Sequence, residues 1–422
     1  MPFMPFNILG MWFRGLLAIV LLGLSIYLLR EWYERATTVH EPIAVAEADV
    51  RRDPEAGRDP AVGRTRSARL SSWRPGWDTP TAMLAGGLAL MGLSLGGGSF
   101  AFPLMRRRGT DEPNSERGGR VERLKRPDGS ELHVDMYGPA DGPTIVLTHG
   151  WGANATEWYY LKKQLGDRFR LIAWDLPGLG LSKRPDNNDY SLDKMARDLD
   201  AVVALAGNAP VVLLGHSIGG MISLTYCRLF AESLGRKVSG LVLVHTTPTN
   251  PMRTTKNAGL YTALQKPVIE PLLHLTIWLS PLVWAMNWMA YLNGSAHRST
   301  AKESFAGTET RGQLNFAARF MPHGSPAVLA RGMFGMLAYD ASATLKTIDA
   351  PVLVVPGDLD GTCTPEASTW MDKDLPKSKL EALTPAKHMG LLEHKDRFSK
   401  LVGEFVSSCT PSSHTDAVGR AT

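Results

Sequence analysis

The chain has 422 residues, 44% hydrophobic and 21% charged, with a formal net charge of +5. That suits a globular protein with one large domain and attachments, and a modest charge without an aromatic–basic stripe argues against nucleic acid as a partner. The three cysteines, Cys227, Cys363 and Cys409, are too few and too scattered for a disulfide framework or a metal-ligand cluster.

Residues 8–29 are apolar apart from Arg14, about the 20 residues needed to cross a bilayer as a helix. Trp12, Trp32 and Tyr33 flank the run as an aromatic belt would. Ala44-Val45-Ala46 resembles a signal-peptidase site but lies too far beyond the apolar run. The expectation is an uncleaved transmembrane anchor over residues 1–30. Residues 31–78, rich in Arg, Asp, Glu, Ala and Pro, read as a polar, disordered loop. A second apolar stretch, glycine-rich, predicts another transmembrane helix over residues 79–105. Arg106-Arg107-Arg108 follows as a cytoplasmic stop, which puts the main domain on the cytoplasmic face of the membrane. Arg64, Arg66, Arg69 and Arg74 in the loop argue for the opposite orientation. Residues 106–120 read as a polar linker.

From residue 121 onward, short apolar runs alternate with helical patterns. A hairpin is predicted around Pro127-Asp128-Gly129-Ser130, between strands at 121–125 and 131–137. Further strands are predicted at 144–148, 170–174, 211–214, 241–244 and 352–355. Their continuous β-branched and aliphatic character is that of central parallel strands buried on both faces. A helix is predicted over 191–206 from the spacing of Leu192, Met195, Leu199 and Val202. The alternation predicts an α/β fold with a mostly parallel central sheet flanked by helices, its ligands bound beyond the carboxyl ends of the strands.

Gly215-His216-Ser217-Ile218-Gly219 joins the apolar run 211–214 to a helical stretch. Strand, sharp turn and helix are the setting in which G-x-S-x-G makes a nucleophile elbow, with the serine hydroxyl raised above the sheet at a helix N-terminus. Serine attacks a carbonyl only if a base takes its proton and a third group orients that base. Asp358 and Asp360 follow the strand at 352–355, and His388 lies in the turn after a strand-like run at 379–383. Composition alone does not choose among 11 histidines.

The ordered set His149-Gly150-Trp151-Gly152, Asp175-Leu176-Pro177-Gly178, Gly215-His216-Ser217-Ile218-Gly219-Gly220, Gly357-Asp358-Leu359-Asp360 and His388-Met389 resembles the α/β-hydrolase fold family over residues 121–407. The resemblance implies a Ser-acid-His triad in chain order: Ser217, Asp360 rather than Asp358, and His388, although Lys387 stands where the family usually has glycine. It also implies an oxyanion hole from the backbone N–H groups of Trp151 and Ile218. His149 and Asp175 are expected to hold loops. No metal or organic cofactor is implied.

About a hundred residues separate the strands at 241–244 and 352–355. Structureless loops of that length are rare in compact domains, so residues 251–345 are expected to form a helical cap on a core made of 121–250 and 346–408, with 409–422 a disordered tail. The cap's Trp- and Met-rich first half suits a pocket for a lipophilic group or a face against the bilayer, although Pro271 and Pro281 interrupt it and argue against a further span. The function expected is a membrane-anchored serine hydrolase cleaving esters of lipophilic acyl substrates. Alternatives are thioester, amide or carbon–carbon bond hydrolysis, acyl transfer, or perhydrolysis by the same triad, and an inactive membrane-tethered scaffold.

Overall fold

The computed structural model describes residues 5–38 and 80–409. The centre is an eight-stranded sheet, β1 (Arg120–Lys125), β2 (Glu131–Tyr137), β3 (Thr144–Thr148), β4 (Arg170–Trp174), β5 (Val211–His216), β6 (Val238–Val244), β7 (Val352–Val355) and β8 (Ser378–Leu380), in the order β1-β2-β4-β3-β5-β6-β7-β8. β2 runs antiparallel to β1 and β4, and every other pairing is parallel. β3, β5 and β7 are buried along their whole length, as their unbroken apolar sequences require.

Successive side chains point to opposite faces, and the core divides accordingly. Val146, Leu213, Leu241 and Val354 meet helices Leu192–Val203 and Ile218–Leu229 on one face. Ile145, Leu147, Leu214 and Val355 meet helices Tyr159–Leu165 and Lys395–Cys409 on the other. Burying each such side chain stabilises the fold by about 1.5–3 kcal/mol. Helix Leu192–Val203 starts where the sequence places it, with the Ser191 hydroxyl accepting the Lys194 N–H.

The segment between β6 and β7 is helical, comprising Ala258–Leu264, a π-helical turn Gln265–Ile269, Glu270–Trp278, Ser280–Leu292, Ser295–Ser304, Arg311–His323 and Pro326–Leu337. It covers the carboxyl ends of β5 and β7. Glu393, just after the His388 turn, ties the cap to the core by accepting the N–H groups of Ala306 and Thr308.

The N-terminal region forms helices Pro5–Thr38 and Pro80–Met105. Each holds a stretch long and apolar enough to cross a membrane, Trp12–Thr37 with mean hydropathy 2.0 and Pro80–Gly98 with 1.3. They pack on each other where Ser25 Oγ donates to the Gly87 carbonyl at 2.7 Å. A Cβ on Gly87 would come within 2.8 Å of the Leu29 side chain and 3.3 Å of the Ser25 carbonyl oxygen, so the helices approach closely here.

Two expectations change here. The first helix does not stop at residue 30. It continues to Thr38 because Arg30–Glu34 (2.7 Å) and Glu31–Arg35 (3.3 Å) are i,i+4 pairs that support another two turns. The rest of the predicted loop, and the tail from 410, lie outside the described residues. The stretch before β1, expected to be a linker, lies against the core instead. Arg106 reaches Glu309 at 2.7 Å, Asp111 meets Lys163 at 2.6 Å and Lys395 at 2.7 Å, and Arg117 bridges Asp135 at 2.7 Å and Asp175 at 2.9 Å. Charges that look solvated in the sequence are matched by partners in the fold, among them the buried carboxylates of Glu309, Asp135 and Asp175.

Candidate active site

β5 ends at His216, and the chain turns at Ser217 with φ of 55°, a left-handed conformation that non-glycine residues rarely adopt. The turn is held on both sides. Ser217 N–H donates to the Val244 carbonyl at 2.9 Å, and the Ser217 carbonyl accepts the Thr246 hydroxyl at 2.6 Å. A Cβ on Gly215 would lie 2.2 Å from the Gly219 backbone, and one on Gly219 would lie 2.2 Å from the Thr148 carbonyl oxygen. The glycines of the motif are therefore steric requirements of this turn.

The loops after β7 and β8 bring Asp360 and His388 together. His388 Nδ1 lies 2.8 Å from Asp360 Oδ2, and both side chains are buried. Asp360 Oδ1 accepts the N–H groups of Thr362 at 2.8 Å and Cys363 at 3.2 Å, which fixes the carboxylate plane. Asp358 faces elsewhere and accepts the Ala386 N–H at 2.8 Å. His388 Nε2, the nitrogen away from Asp360, is buried without a hydrogen-bond partner. Ser217 and His388 line one narrow cavity of about 40 Å³ together with Trp151, Met221, Met333 and Met336.

Trp151 follows β3. Its indole N–H donates to the Leu329 carbonyl at 3.0 Å, and its ring lies so close to the cap helix Pro326–Leu337 that a Cβ on Gly332 would fall 1.9 Å from it. Among the described residues, neither the Trp151 nor the Ile218 backbone N–H donates to a backbone or side-chain acceptor. Ile218 opens the helix behind the serine, where unpaired N–H groups and the helix dipole favour negative charge.

A sequence model of the α/β-hydrolase fold matches residues 143–265, which include the Trp151 turn and the Ser217 elbow. The pimeloyl-[acyl-carrier protein] methyl ester esterase of Nitrosospira multiformis is 26% identical over 276 residues, 63% of this chain and 95% of that protein. The magnesium-chelatase 30 kDa subunit of Rhodobacter capsulatus is 40% identical over a shorter stretch of 87 residues, 21% of this chain and 31% of that protein. Among solved structures, an esterase from Exiguobacterium antarcticum superposes with a TM-score of 0.55 at 22% identity, covering 69% of this chain and all of that one. The chain has the α/β-hydrolase fold.

Within that fold the electrostatics of the pair are well defined. Burial would raise the Asp360 carboxyl, but His388 and His245 outweigh it and hold the group well below the usual carboxylate range. Burial lowers the His388 imidazole to about 4, against the opposing attraction of Asp360. His388 is therefore neutral at pH 7, with its proton on the Nδ1 side facing the carboxylate. His149 is occupied in the turn, with Nδ1 donating to the Gly150 carbonyl at 2.8 Å and Nε2 accepting the Leu176 N–H at 3.0 Å. Asp175 accepts from Ala155 N–H, Leu181 N–H and Arg117, so it joins three loops. Among the described residues, no group of three or more His, Cys, Asp or Glu is arranged to hold a metal.

Sequence reasoning did not find Glu157 or His245. Glu157 is fully buried; its Oε2 accepts the Gly150 N–H at 2.9 Å and its Oε1 lies 3.0 Å from His216 Nδ1. His216 Nε2 in turn lies 3.0 Å from the His388 carbonyl. The two ring nitrogens of His216 face the Glu157 carboxylate on one side and the His388 backbone carbonyl on the other. One carboxylate thus braces the Trp151 turn and, through His216, the backbone of His388. His245 follows β6 directly and places Nδ1 3.4 Å from Asp360 Oδ2. Nothing in the spacing of the 11 histidines singles out His245, and nothing local singles out Glu157, because their contacts are made between segments distant in the chain.

Glu157→Leu leaves the Gly150 N–H and the Nδ1 of His216 buried and unpaired. The expected result is a loss of about 3 kcal/mol in stability, read as a lower thermal midpoint than the native protein. An unchanged midpoint would show that the brace contributes nothing.

Proposed function

We propose that this protein is a membrane-anchored serine hydrolase that cleaves carboxylic esters of lipophilic acyl groups through Ser217, His388 and Asp360. The observation that carries the reading is the 2.8 Å His388–Asp360 contact, with the other imidazole nitrogen unpartnered beside the cavity that Ser217 lines. Ser217 Oγ attacks the ester carbonyl carbon as His388 Nε2 takes its proton. The oxyanion is met by the Trp151 and Ile218 N–H groups, each worth roughly 2.7–4 kcal/mol in a site of this kind. The carbon–oxygen bond to the alcohol breaks, and Nε2 returns the proton to the leaving oxygen. Water then attacks the acyl-enzyme with the same base, releasing the acid and Ser217. Asp360 stays ionised throughout, orienting the ring and stabilising its transient cation.

Ester cleavage is supported by the named activity of the esterase relatives and by the fold. The lipophilic preference is supported by Met221, Met252, Met333 and Met336 around the cavity, since flexible thioether side chains adapt to an alkyl chain. The anchor is supported by the two apolar helices, whose lengths and hydropathies suit a bilayer.

The test is a panel of p-nitrophenyl esters with the full chain in phosphatidylcholine proteoliposomes. kcat/KM is expected to rise with acyl length by up to about fourfold per buried methylene until the cavity is filled. A flat or falling series would contradict the lipophilic reading. The pH profile has a definite sign. The base works only when neutral, so kcat/KM holds steady above the His388 value of about 4 and falls tenfold per pH unit below it. A profile still rising between pH 6 and 8 would point to a different base.

A further inference from the structure

The cap helices Glu270–Trp278 and Ser280–Leu292 are the part of the molecule that the catalytic reading leaves unexplained. No Asp, Glu, Lys or Arg stands between Glu270 and Arg298. The outer side of the pair is apolar and uncovered: Trp278 is 78% exposed, Trp284 48% and Leu282 44%, with Leu275 beside them. The run bends by 94° where the two helices meet, and both flanks stay on the catalytic domain and its cap, Ala258–Leu264 packing on Pro251–Arg253 and Ser295–Ser304 on Arg311–His323. It therefore enters and leaves on the same side.

The second observation is where this element sits. Helix Ser280–Leu292 packs directly on both N-terminal helices. A Cβ on Gly15 would lie 2.7 Å from Met286, and a Cβ on Gly98 would lie 2.6 Å from the Leu292 carbonyl oxygen, so backbones are in contact at both crossings. Gly15 and Gly98 lie at the ends of the two spans nearest the catalytic domain. An uncharged helix locked at that level, with tryptophans facing outward, has the composition of an element seated at the headgroup–acyl boundary.

We propose that the bent pair Glu270–Leu292 is an interfacial wedge that docks in the leaflet facing the catalytic domain, its partner being the glycerol and upper acyl region of a lipid bilayer. The proposal rests on the anchored reading above and deepens it. The inner side of the wedge carries the roof of the active site. Helix Pro326–Leu337, which supplies Met333 and Met336 to the Ser217 cavity, packs on Glu270–Trp278, with the rings of His274 and Phe334 4.8 Å apart. Its start is tied to the next helix by the Ala327 N–H donating to Ser280 Oγ at 3.2 Å. The roof of the cavity is thereby mounted on an element held in lipid, within reach of an acyl chain that leaves the bilayer.

The test places the environment-sensitive fluorophore NBD on single cysteines in the full chain, in a Cys409→Ser background, Cys227 and Cys363 being buried. The sites are Trp284→Cys and Leu282→Cys on the wedge, Leu24→Cys in the middle of the first span, and Lys373→Cys beside β8. Proteins with a native thermal midpoint are reconstituted in phosphatidylcholine vesicles carrying doxyl groups at lipid carbon 5 or 16. The wedge labels are expected to lose most of their emission to the shallow 5-doxyl lipid and little to the deep one. The Leu24 label should respond to the deep quencher, and the Lys373 label only to aqueous iodide. Wedge labels that behave like Lys373 while Leu24 is quenched by lipid would overturn the wedge and leave the anchor standing. A Leu24 label open to iodide would remove the anchor and the wedge together. Two wedge sites guard against one substitution failing to fold.

Discussion

Replacing Ser217 with alanine is expected to lower kcat for ester hydrolysis by about 10⁶, leaving only the background supplied by binding and the oxyanion donors. Effects of this size belong to the loss of the attacking atom, because no neighbouring group substitutes for it. The residue lies on the cavity wall at the tip of a turn that its backbone, not its hydroxyl, holds in place through Val244 and Thr246. Alanine is accommodated there as well as serine is, so the fold should survive and the thermal midpoint should stay near native. Steady-state kinetics on the full chain measures the effect. Retention of native activity in a folded Ser217→Ala protein would exclude nucleophilic catalysis at this site.

Asp360→Asn is expected to lower kcat by about 10⁴, for a reason that the geometry makes specific. Oδ1 accepts two backbone N–H groups, from Thr362 and Cys363, and only an oxygen suits that position. The asparagine oxygen is therefore held there, and its NH₂ is turned toward His388 Nδ1, 2.8 Å away. A donor at that point requires Nδ1 to accept, which places the imidazole proton on Nε2. His388 then faces Ser217 with a proton it already holds and cannot take another. The side chains have nearly equal volumes, so packing changes little. A loss of less than tenfold would mean that the ring keeps its tautomer without Asp360. Rates measured across pH separate a tautomer fault, which lowers the plateau, from a shifted titration, which moves only the limb.

Much of this arrangement is legible in the sequence because its signals are local. The strands at 144–148, 170–174 and 352–355 coincide with their predicted limits, since buried parallel strands carry apolar runs, and the antiparallel strand at 131–137 coincides because the turn at 127–130 marks where it starts. The elbow is visible because a strained serine between strand and helix tolerates only glycine at fixed offsets. The expected separation of Asp358 from Asp360 appears as different partners, Ala386 for one and His388 for the other.

What stays hidden depends on contacts between distant segments. Glu157 sits in a 3₁₀ turn where a carboxylate looks like surface, and only the fold shows it bridging Gly150 and His216. Arg117 looks like part of a charged linker until β2 and the turn after β4 bring Asp135 and Asp175 to it. The glycines at 15 and 98 look like ordinary features of apolar helices. Their packing against the cap is a consequence of where the chain re-enters after β6, which no local pattern encodes.

The most direct test of the central claim is labelling of the full-length protein with a fluorophosphonate, followed by peptide mass mapping. A single adduct on the Ser217 hydroxyl, slowed strongly by Asp360→Asn, is the predicted result. A folded protein that takes up no label, or takes it up at another residue, would contradict a nucleophile at position 217.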